Sequence, residues 1–194
     1  MELYTSRRAL LLVFFTFFIV QISKSQKFYG LTSQGGKDGT GAIIEFDVSK
    51  YTLKDPAPTG FSNFTPGRNQ YQNELVELNG KLYGKNIYGG PSSYGVLFSY
   101  DPVDGKYTRL YDFDGINGSN PIGKMMVKDG KLYGTTWFGG ADNHGVIFSY
   151  DPTDNVYSKL YDFDGVNGQN PQGGLTFHDY SFYGMTTGDF FSDN

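Results

Sequence analysis

The chain has 194 residues, carries 16 Lys and Arg against 20 Asp and Glu, and contains no Cys. This length allows one domain or at most two, the net charge of −4 argues against nucleic-acid binding, and the lack of Cys excludes disulfides and thiolate metal sites. The 27 Gly, 16 Tyr and 17 Phe favour strands and tight turns over helices.

The N-terminal segment predicts a secretory signal peptide. Two arginines precede a mostly apolar run, 9–20, which is shorter than the roughly 20 residues needed to cross a bilayer. Ser23 and Ser25 then provide small residues at the −3 and −1 positions of a cleavage site. We therefore assign residues 1–25 to an export signal and residues 26–194 to a repeat domain.

The predicted location is outside the cytoplasm of a bacterium, either secreted or on the cell surface. Eukaryotic secreted domains of this size often carry disulfides, so an exported chain without Cys favours bacterial export. No second apolar run follows the signal, so no later transmembrane segment is predicted.

After the signal, one sequence unit is repeated about 3.4 times with a period of 50 residues. The copies 82–131 and 132–181 align without a gap, and about half of their positions are identical. A more divergent copy covers residues 28–81, and a partial copy covers residues 182–194. Such self-similarity indicates a repeat architecture.

Each copy predicts four short antiparallel strands. In the copy around residue 132, Asp129-Gly130 favours a two-residue hairpin turn and Asp151-Pro152 opens a type I turn. A loop rich in Gly and Asn, 164–170, leads to the next copy. The strands predicted between these turns are 124–128, 131–138, 145–150 and 157–163, and the last copy supplies only 174–180 and 182–187.

Four strands per 50 residues predict an all-β fold, a β-propeller-like array of four-stranded antiparallel blades. Propellers close with about four to eight blades, so about 3.4 copies predict an open arc with an unpaired edge at each end. Six aromatic residues are expected to fill the space between blades: Tyr100, Tyr111, Phe113, Tyr150, Tyr161 and Phe163.

The repeat resembles the GloVer-type tandem repeat in its segments 132–136 (LYGTT), 139–140 (GG), 145–148 (GVIF) and 160–165 (LYDFDG). The resemblance covers nearly all of residues 28–194 and implies an exported bacterial protein, of a kind that often bears a C-terminal surface anchor. It implies no catalytic residues. The period and the Gly-Gly pair are also similar to kelch repeats, although the order of Gly-Gly, Tyr and Trp differs.

The most prominent polar feature is a set of acids and amides that recurs after 50 residues: Asp112, Asp114, Asn117 and Asn120, then Asp162, Asp164, Asn167 and Asn170. Clustered carboxylate and amide oxygens can bind Ca²⁺. However, Ile116 and Val166 stand at the fifth position, where an EF-hand loop needs a ligand, and its Glu at position 12 is missing. We therefore predict turn chemistry and no cofactor, with a calcium site as the alternative.

Two further candidates concern carbohydrate chemistry. Asp112 and Asp114 lie two residues apart and would share a strand face, as a glycosidase or lyase pair could. Because the same acids recur in the next copy, they suit repeated binding better than one asymmetric catalytic centre. Trp137 is the single Trp, and its ring predicts either a sugar-stacking platform or packing between blades.

The sequence thus predicts an exported repeat module with a non-enzymatic role in binding or adhesion outside the cell or at the cell envelope. Its ligand is not identified by any motif, and a glycan is one candidate. The alternatives are a carbohydrate-active enzyme that uses the loop carboxylates, and a structural repeat that displays other domains.

Overall fold

A computed structural model describes residues 26–32, 42–57 and 74–187, except the side chains of residues 55–57. The predicted signal peptide lies outside the described residues, as does the end of the partial copy, 188–194. Within the described ranges the fold is all-β, as predicted, and contains no helix. None of these residues forms a helix long and apolar enough to cross a bilayer.

The described strands form three antiparallel sheets and a C-terminal ladder. Sheet I has the order β1 (Lys27–Thr32), β2 (Ala42–Asp47), β3 (Thr52–Ala57). Sheet II has the order β4 (Val76–Leu78), β5 (Lys81–Asn86), β6 (Val96–Asp101), β7 (Lys106–Asp112). Sheet III has the order β8 (Ser119–Lys128), β9 (Lys131–Phe138), β10 (Val146–Asp151), β11 (Val156–Asp162). In the C-terminal ladder, β12 (Gln169–Pro171) pairs with β15 (Thr186–Thr187), and β13 (Thr176–His178) pairs with β14 (Ser181–Tyr183).

Neighbouring strands in each sheet follow one another in the sequence because tight turns join them. The turn at Asp129-Gly130 has positive φ at both residues, as a two-residue type I′ hairpin requires. The turn after β10 begins at Asp151, whose carboxylate accepts the backbone N–H of Thr153 at 2.9 Å. These local preferences confirm the predicted four-strand unit for sheets II and III.

The first strand of the unit differs from the prediction. Strand β8 begins at Ser119 rather than near Lys124, so it includes residues for which the sequence predicts a loop. Its N-terminal part contains Asn120, at φ +52°, and Pro121, and the register with β9 shifts between Ile122 and Met126. In the C-terminal ladder, four short strands lie where the sequence predicts two. Strands β12 and β13 together correspond to β8 in the repeat.

The sheets pack through their faces. In sheet II, Phe98 and Tyr100 lie with Ile43 of sheet I in one apolar cluster. Leu97 and Phe113 lie with Phe148 and Tyr150 of sheet III in another. Since both faces of sheet II are covered, β6 is buried along nearly its whole length and its sequence does not alternate between apolar and polar residues.

The predicted aromatic packing is found at five of the six positions. Tyr100, Phe113, Tyr150 and Phe163 are buried. Tyr111 of sheet II stacks on Tyr157 of sheet III, with ring centroids 3.7 Å apart. The prediction is wrong for Tyr161, which is 41% exposed, because within the described residues no following strand supplies the partner that Tyr157 provides to Tyr111.

The chain crosses from sheet II to sheet III through residues 113–118, which pass over the loop between β9 and β10. The N–H of Gly140 donates to the carbonyl of Gly115 at 2.9 Å. Gly139 has φ +81°, and a Cβ built there would lie 2.6–2.7 Å from the backbone of Gly118. Glycine is therefore required at residue 139, both for its backbone conformation and for the close approach.

We predict that Gly139→Ala lowers the free energy of unfolding by about 3 kcal/mol or more, because it adds backbone strain and a clash with the crossing chain. Gly130→Ala is the matched control, since Gly130 has φ +74° and a Cβ built there would have no neighbouring atom within 4 Å. It should cost only about 1 kcal/mol. Urea denaturation measures the free energy of unfolding of both variants. Equal losses would contradict the close approach of residue 139 to the crossing chain.

Candidate binding site on the crossover loops

Two crossover loops carry four of the eight recurring acids and amides: residues 113–118, between β7 and β8, and residues 163–168, between β11 and β12. In the first loop Asp114 accepts the backbone N–H of Asn117 at 2.7 Å and its side-chain amide at 2.8 Å. In the second, Asp164 accepts the same two groups of Asn167 at 2.8 and 2.9 Å. Each pair closes its loop as a turn.

These bonds use both oxygens of each carboxylate. The backbone N–H of Asn167 first, and then its side-chain amide, hold the pKa of Asp164 below its usual range. Across the residues that the structure describes, no three His, Asp or Glu side chains come together as a metal-ion site would need. The contacts of Asp114, Asn117, Asp164 and Asn167 agree with the turn interpretation.

Asp162 and Asp112 end the fourth strands and face the Gly-Gly loops. Asp162 Oδ1 accepts the N–H of Ala141 at 3.0 Å and the Lys159 ammonium at 2.9 Å. Asp112 lacks the first of these donors, because Pro91 stands where Ala141 does and has no N–H. Arg109 Nε lies 3.2 Å from Asp112 Oδ1 as an ion pair, but no described group donates a hydrogen bond to this buried oxygen.

Asn120 and Asn170 join neighbouring repeat units. Asn120 Nδ2 donates to the carbonyl of Ile87 at 3.2 Å, and its backbone N–H donates to the carbonyl of Tyr94 at 2.7 Å. Asn170 makes the equivalent bonds to the carbonyls of Trp137, at 3.0 Å, and His144, at 2.7 Å. Each asparagine thus joins the start of one unit to the end of the second strand and the following loop of the preceding unit.

We predict that Asn120→Gly lowers the free energy of unfolding by about 1 kcal/mol, because it removes the side-chain bond to Ile87 and leaves a conformation that Gly adopts freely. Asn120→Ala should cost about 1 kcal/mol more, since Ala at φ +52° is strained. Chemical denaturation measures both. If neither variant were destabilised, the hydrogen bonds of Asn120 would not stabilise the contact between the two units.

The described residues place Trp137 near the end of β9, where its ring stacks on Phe138 with centroids 4.9 Å apart. Its side chain is half-buried, and its carbonyl accepts the bond from Asn170. The described contact of the ring is the one with Phe138, and the choice between sugar stacking and packing between blades stays a prediction.

The tips of the two crossover loops are apolar and exposed, and neither tip is among the predicted site residues. Ile116 is 72% exposed and Val166 is 89% exposed, each at the centre of its turn. Exposed aliphatic side chains held on rigid polar turns can anchor a partner surface. An apolar residue that recurs inside an Asp-Gly-x-Asn turn is the signal that could have identified them.

Two side chains of sheet III donate hydrogen bonds to the first crossover loop. The Tyr157 hydroxyl donates to the carbonyl of Asn117 at 2.6 Å, and the Lys159 ammonium donates to the carbonyl of Ile116 at 3.2 Å. The loop that displays Ile116 is therefore bonded at its own ends and to the next sheet.

Sequence comparison agrees with this repeated geometry. A family model described as the Gloeobacter/Verrucomicrobia repeat matches residues 17–194. The chain belongs to this repeat family. The match confirms the resemblance drawn from the LYGTT, GG and LYDFDG segments. No curated protein is similar enough to the chain to count as a match.

In this member of the family, one repeat position holds a fully buried lysine. Lys85 on β5 donates to the carbonyl of Ile122 on β8 at 2.7 Å, and its ammonium lies 5.8 Å from the centre of the Phe148 ring. Burial lowers the pKa of Lys85 to about 7. The equivalent residue in the next unit is Thr135. Among the described contacts between repeat units, a buried lysine is therefore present only between sheets II and III.

The lowered pKa predicts that stability depends on pH. Between about pH 7 and 10.5 the unfolded lysine holds a proton that the folded one has lost, so the free energy of unfolding rises with pH by about 1 kcal/mol per unit. Lys85→Met should abolish this slope and stabilise the protein by about 2 kcal/mol at neutral pH, because no charge is buried. Urea denaturation at several pH values measures both effects.

Lys106→Met is the control, because Lys106 is exposed, and it should keep the slope. Measurements should stop at about pH 9.5. Burial raises the pKa of Tyr29 and Tyr111 to about 12, so the free energy of unfolding falls as pH rises above the usual tyrosine pKa. If the free energy of unfolding of Lys85→Met rose with pH as it does in the parent protein, Lys85 would not be the group responsible for the pH dependence.

Proposed function

We propose that this protein is an exported repeat module that binds a ligand outside the cell or at the cell envelope, without catalysis. The observation that carries the proposal is the pair of exposed tips, Ile116 and Val166, on two turns with the same internal hydrogen bonds. Export is supported by the composition of residues 1–25.

We also propose that the sheets are the blades of a propeller-like arc. Two successive four-stranded antiparallel sheets that pack through their faces support this arrangement. In such an arc every repeat would present its crossover loop on the same rim. Weak contacts at several loops would then add up to useful avidity.

Binding is favoured over catalysis because three of the four recurring acids accept hydrogen bonds within the fold and the fourth, Asp112, is in an ion pair with Arg109. Asp114 and Asp164 each accept two hydrogen bonds from their own turns, and Asp162 accepts a backbone N–H and a lysine. A general acid or nucleophile would need a carboxylate free to meet a substrate. The tips instead offer exposed aliphatic side chains, which suit the apolar face of a glycan.

We predict that the double variant Ile116→Asp, Val166→Asp loses binding to envelope polysaccharides by about tenfold or more, because two charged groups replace the apolar anchors. The probes are purified peptidoglycan and an array of immobilised bacterial polysaccharides. Since both side chains are exposed, the thermal midpoint should remain within a few degrees of the parent protein.

The control is Val103→Asp, Val156→Asp, which places the same charges at exposed positions away from the crossover loops. It should bind as the parent does. Equal losses in the two double variants, or no binding by the parent to any probe, would refute the loop surface. Turnover of a polysaccharide that is lost in Asp112→Asn, Asp162→Asn would favour the enzyme alternative.

A further inference from the structure

The sequence contains three Asn-Gly pairs, at residues 79–80, 117–118 and 167–168. Asn-Gly pairs deamidate readily, because a glycine without Cβ lets its backbone nitrogen approach the side-chain amide of the preceding asparagine. The reaction requires that the asparagine side chain and the following N–H are free to move together. The surroundings of the three pairs differ in this respect.

Asn117 and Asn167 are held inside the crossover loops. The side-chain amide of each donates to the aspartate three residues before it, at 2.8 Å for Asn117 and 2.9 Å for Asn167. The following glycines are enclosed as well, since a Cβ built on Gly118 would lie 2.7 Å from a threonine side chain and one built on Gly168 would lie 2.9 Å from another. Both pairs are therefore locked in their turns.

Asn79-Gly80 forms the turn of the hairpin between β4 and β5. Both residues are exposed, and a Cβ built on Gly80 would have no neighbouring atom within 4 Å. The backbone N–H of Gly80 donates to Glu77 Oε1 at 2.7 Å. Its hydrogen is the one that has to leave when the nitrogen attacks the asparagine side chain. A carboxylate is thus already bonded to the reacting N–H, where a general base is needed.

The attack requires the turn to open. Asn79 has φ +53° and Gly80 has φ +78°, as in a two-residue type I′ hairpin, and the peptide bond between them has to rotate before its nitrogen reaches Asn79 Cγ. Strand β4 pairs with β5 through three residues, so this turn closes a short hairpin. Exposed ends of this kind open locally at low cost in free energy.

The combination of an amide and a carboxylate is particular to sheet II among the described hairpins of this type. In sheet III, Asp129 stands at the position of Asn79, and Val127 stands at the position of Glu77. In the C-terminal ladder the same two positions hold Asp179 and Phe177. Neither of these turns has the amide that would react or the carboxylate that would take the proton.

We propose that Asn79-Gly80 is a site of self-catalysed deamidation, with Glu77 as its general base. The Gly80 nitrogen forms a bond to Asn79 Cγ while its proton passes to Glu77. Glu77 returns this proton to Asn79 Nδ2, the Cγ–Nδ2 bond breaks, and ammonia leaves a cyclic succinimide. Water then adds to either ring carbonyl and opens the ring as aspartate or isoaspartate. The net reaction exchanges an amide for a carboxylate and needs no oxidant or reductant.

The two products affect the hairpin differently. Aspartate is the residue in the equivalent turn of sheet III, so the hairpin accepts it. Isoaspartate adds a carbon to the backbone, which disturbs the register that a two-residue turn sets. Val76 and Leu78 of β4 lie in the apolar cluster shared with sheet III. Isoaspartate at residue 79 therefore weakens the contact between sheets II and III, slowly and without reversal.

The test incubates the purified protein in mildly alkaline buffer and follows each Asn-Gly pair by peptide-mass analysis over time. Conversion is expected at Asn79, and at least about tenfold more slowly at Asn117 and Asn167, because their turns are locked. Glu77→Gln should slow conversion at Asn79 by about tenfold or more, since an amide keeps the hydrogen-bond acceptor but cannot take the proton.

Glu74→Gln is the matched control. Glu74 is an exposed carboxylate of the same segment, and it forms an ion pair with Lys124 at 2.9 Å. Its substitution should leave conversion at Asn79 unchanged. No conversion at Asn79, equal rates at the three Asn-Gly pairs, or equal rates in Glu77→Gln and Glu74→Gln would overturn the proposal.

Stability after incubation tests the consequence. The aged parent protein should contain a fraction that unfolds at lower urea concentration, and this fraction should increase with the isoaspartate content at residue 79. Asn79→Gly, which keeps the turn but has no amide to lose, should show no such fraction. Because Glu77, Asn79 and Gly80 lie outside the crossover loops, neither result depends on the proposed binding function.

Discussion

Burial of both faces of sheet II between its two neighbours is the constraint on which the structure depends. Leu97 and Phe98 are neighbours on β6, yet the first packs toward sheet III and the second toward sheet I. A sheet with apolar side chains on both faces cannot be stable alone, so each unit depends on its neighbours. The close spacing of the sheets then decides which residues can stand where the chain crosses between them.

The backbone carbonyl groups of the crossover loops are satisfied by hydrogen bonds from the neighbouring unit. The carbonyl of Gly115 accepts a bond from Gly140, and the carbonyl of Asn117 accepts one from Tyr157. Asn120 satisfies two further groups of the preceding unit. Because these groups are bonded, the tip of the first loop is held in place, and a partner that binds Ile116 would not have to order the loop.

The sequence alone allowed prediction of what is decided locally. The period, the hairpin at Asp129-Gly130 and the turn role of Asp114 depend on residues within a few positions of each other. The N-terminal part of β8 was missed because Asn120 and Pro121 are typical loop residues, and the contact that places them in a strand comes from Ile87 in another unit. Tyr161 carries the same pattern as Tyr111, but its exposure depends on a neighbour that the pattern does not contain.

Lys85 was also missed, since a lysine on a strand is usually exposed and only its position against Ile122 and Phe148 shows otherwise. Its effect reaches beyond its own contacts. In a linear array of units, unfolding begins at the weakest junction and spreads from there. Because Lys85 lies buried at the junction between sheets II and III, acidification from about pH 10.5 to about pH 7 weakens that junction. Over this pH range, proton concentration therefore sets the stability of the contact between these two units.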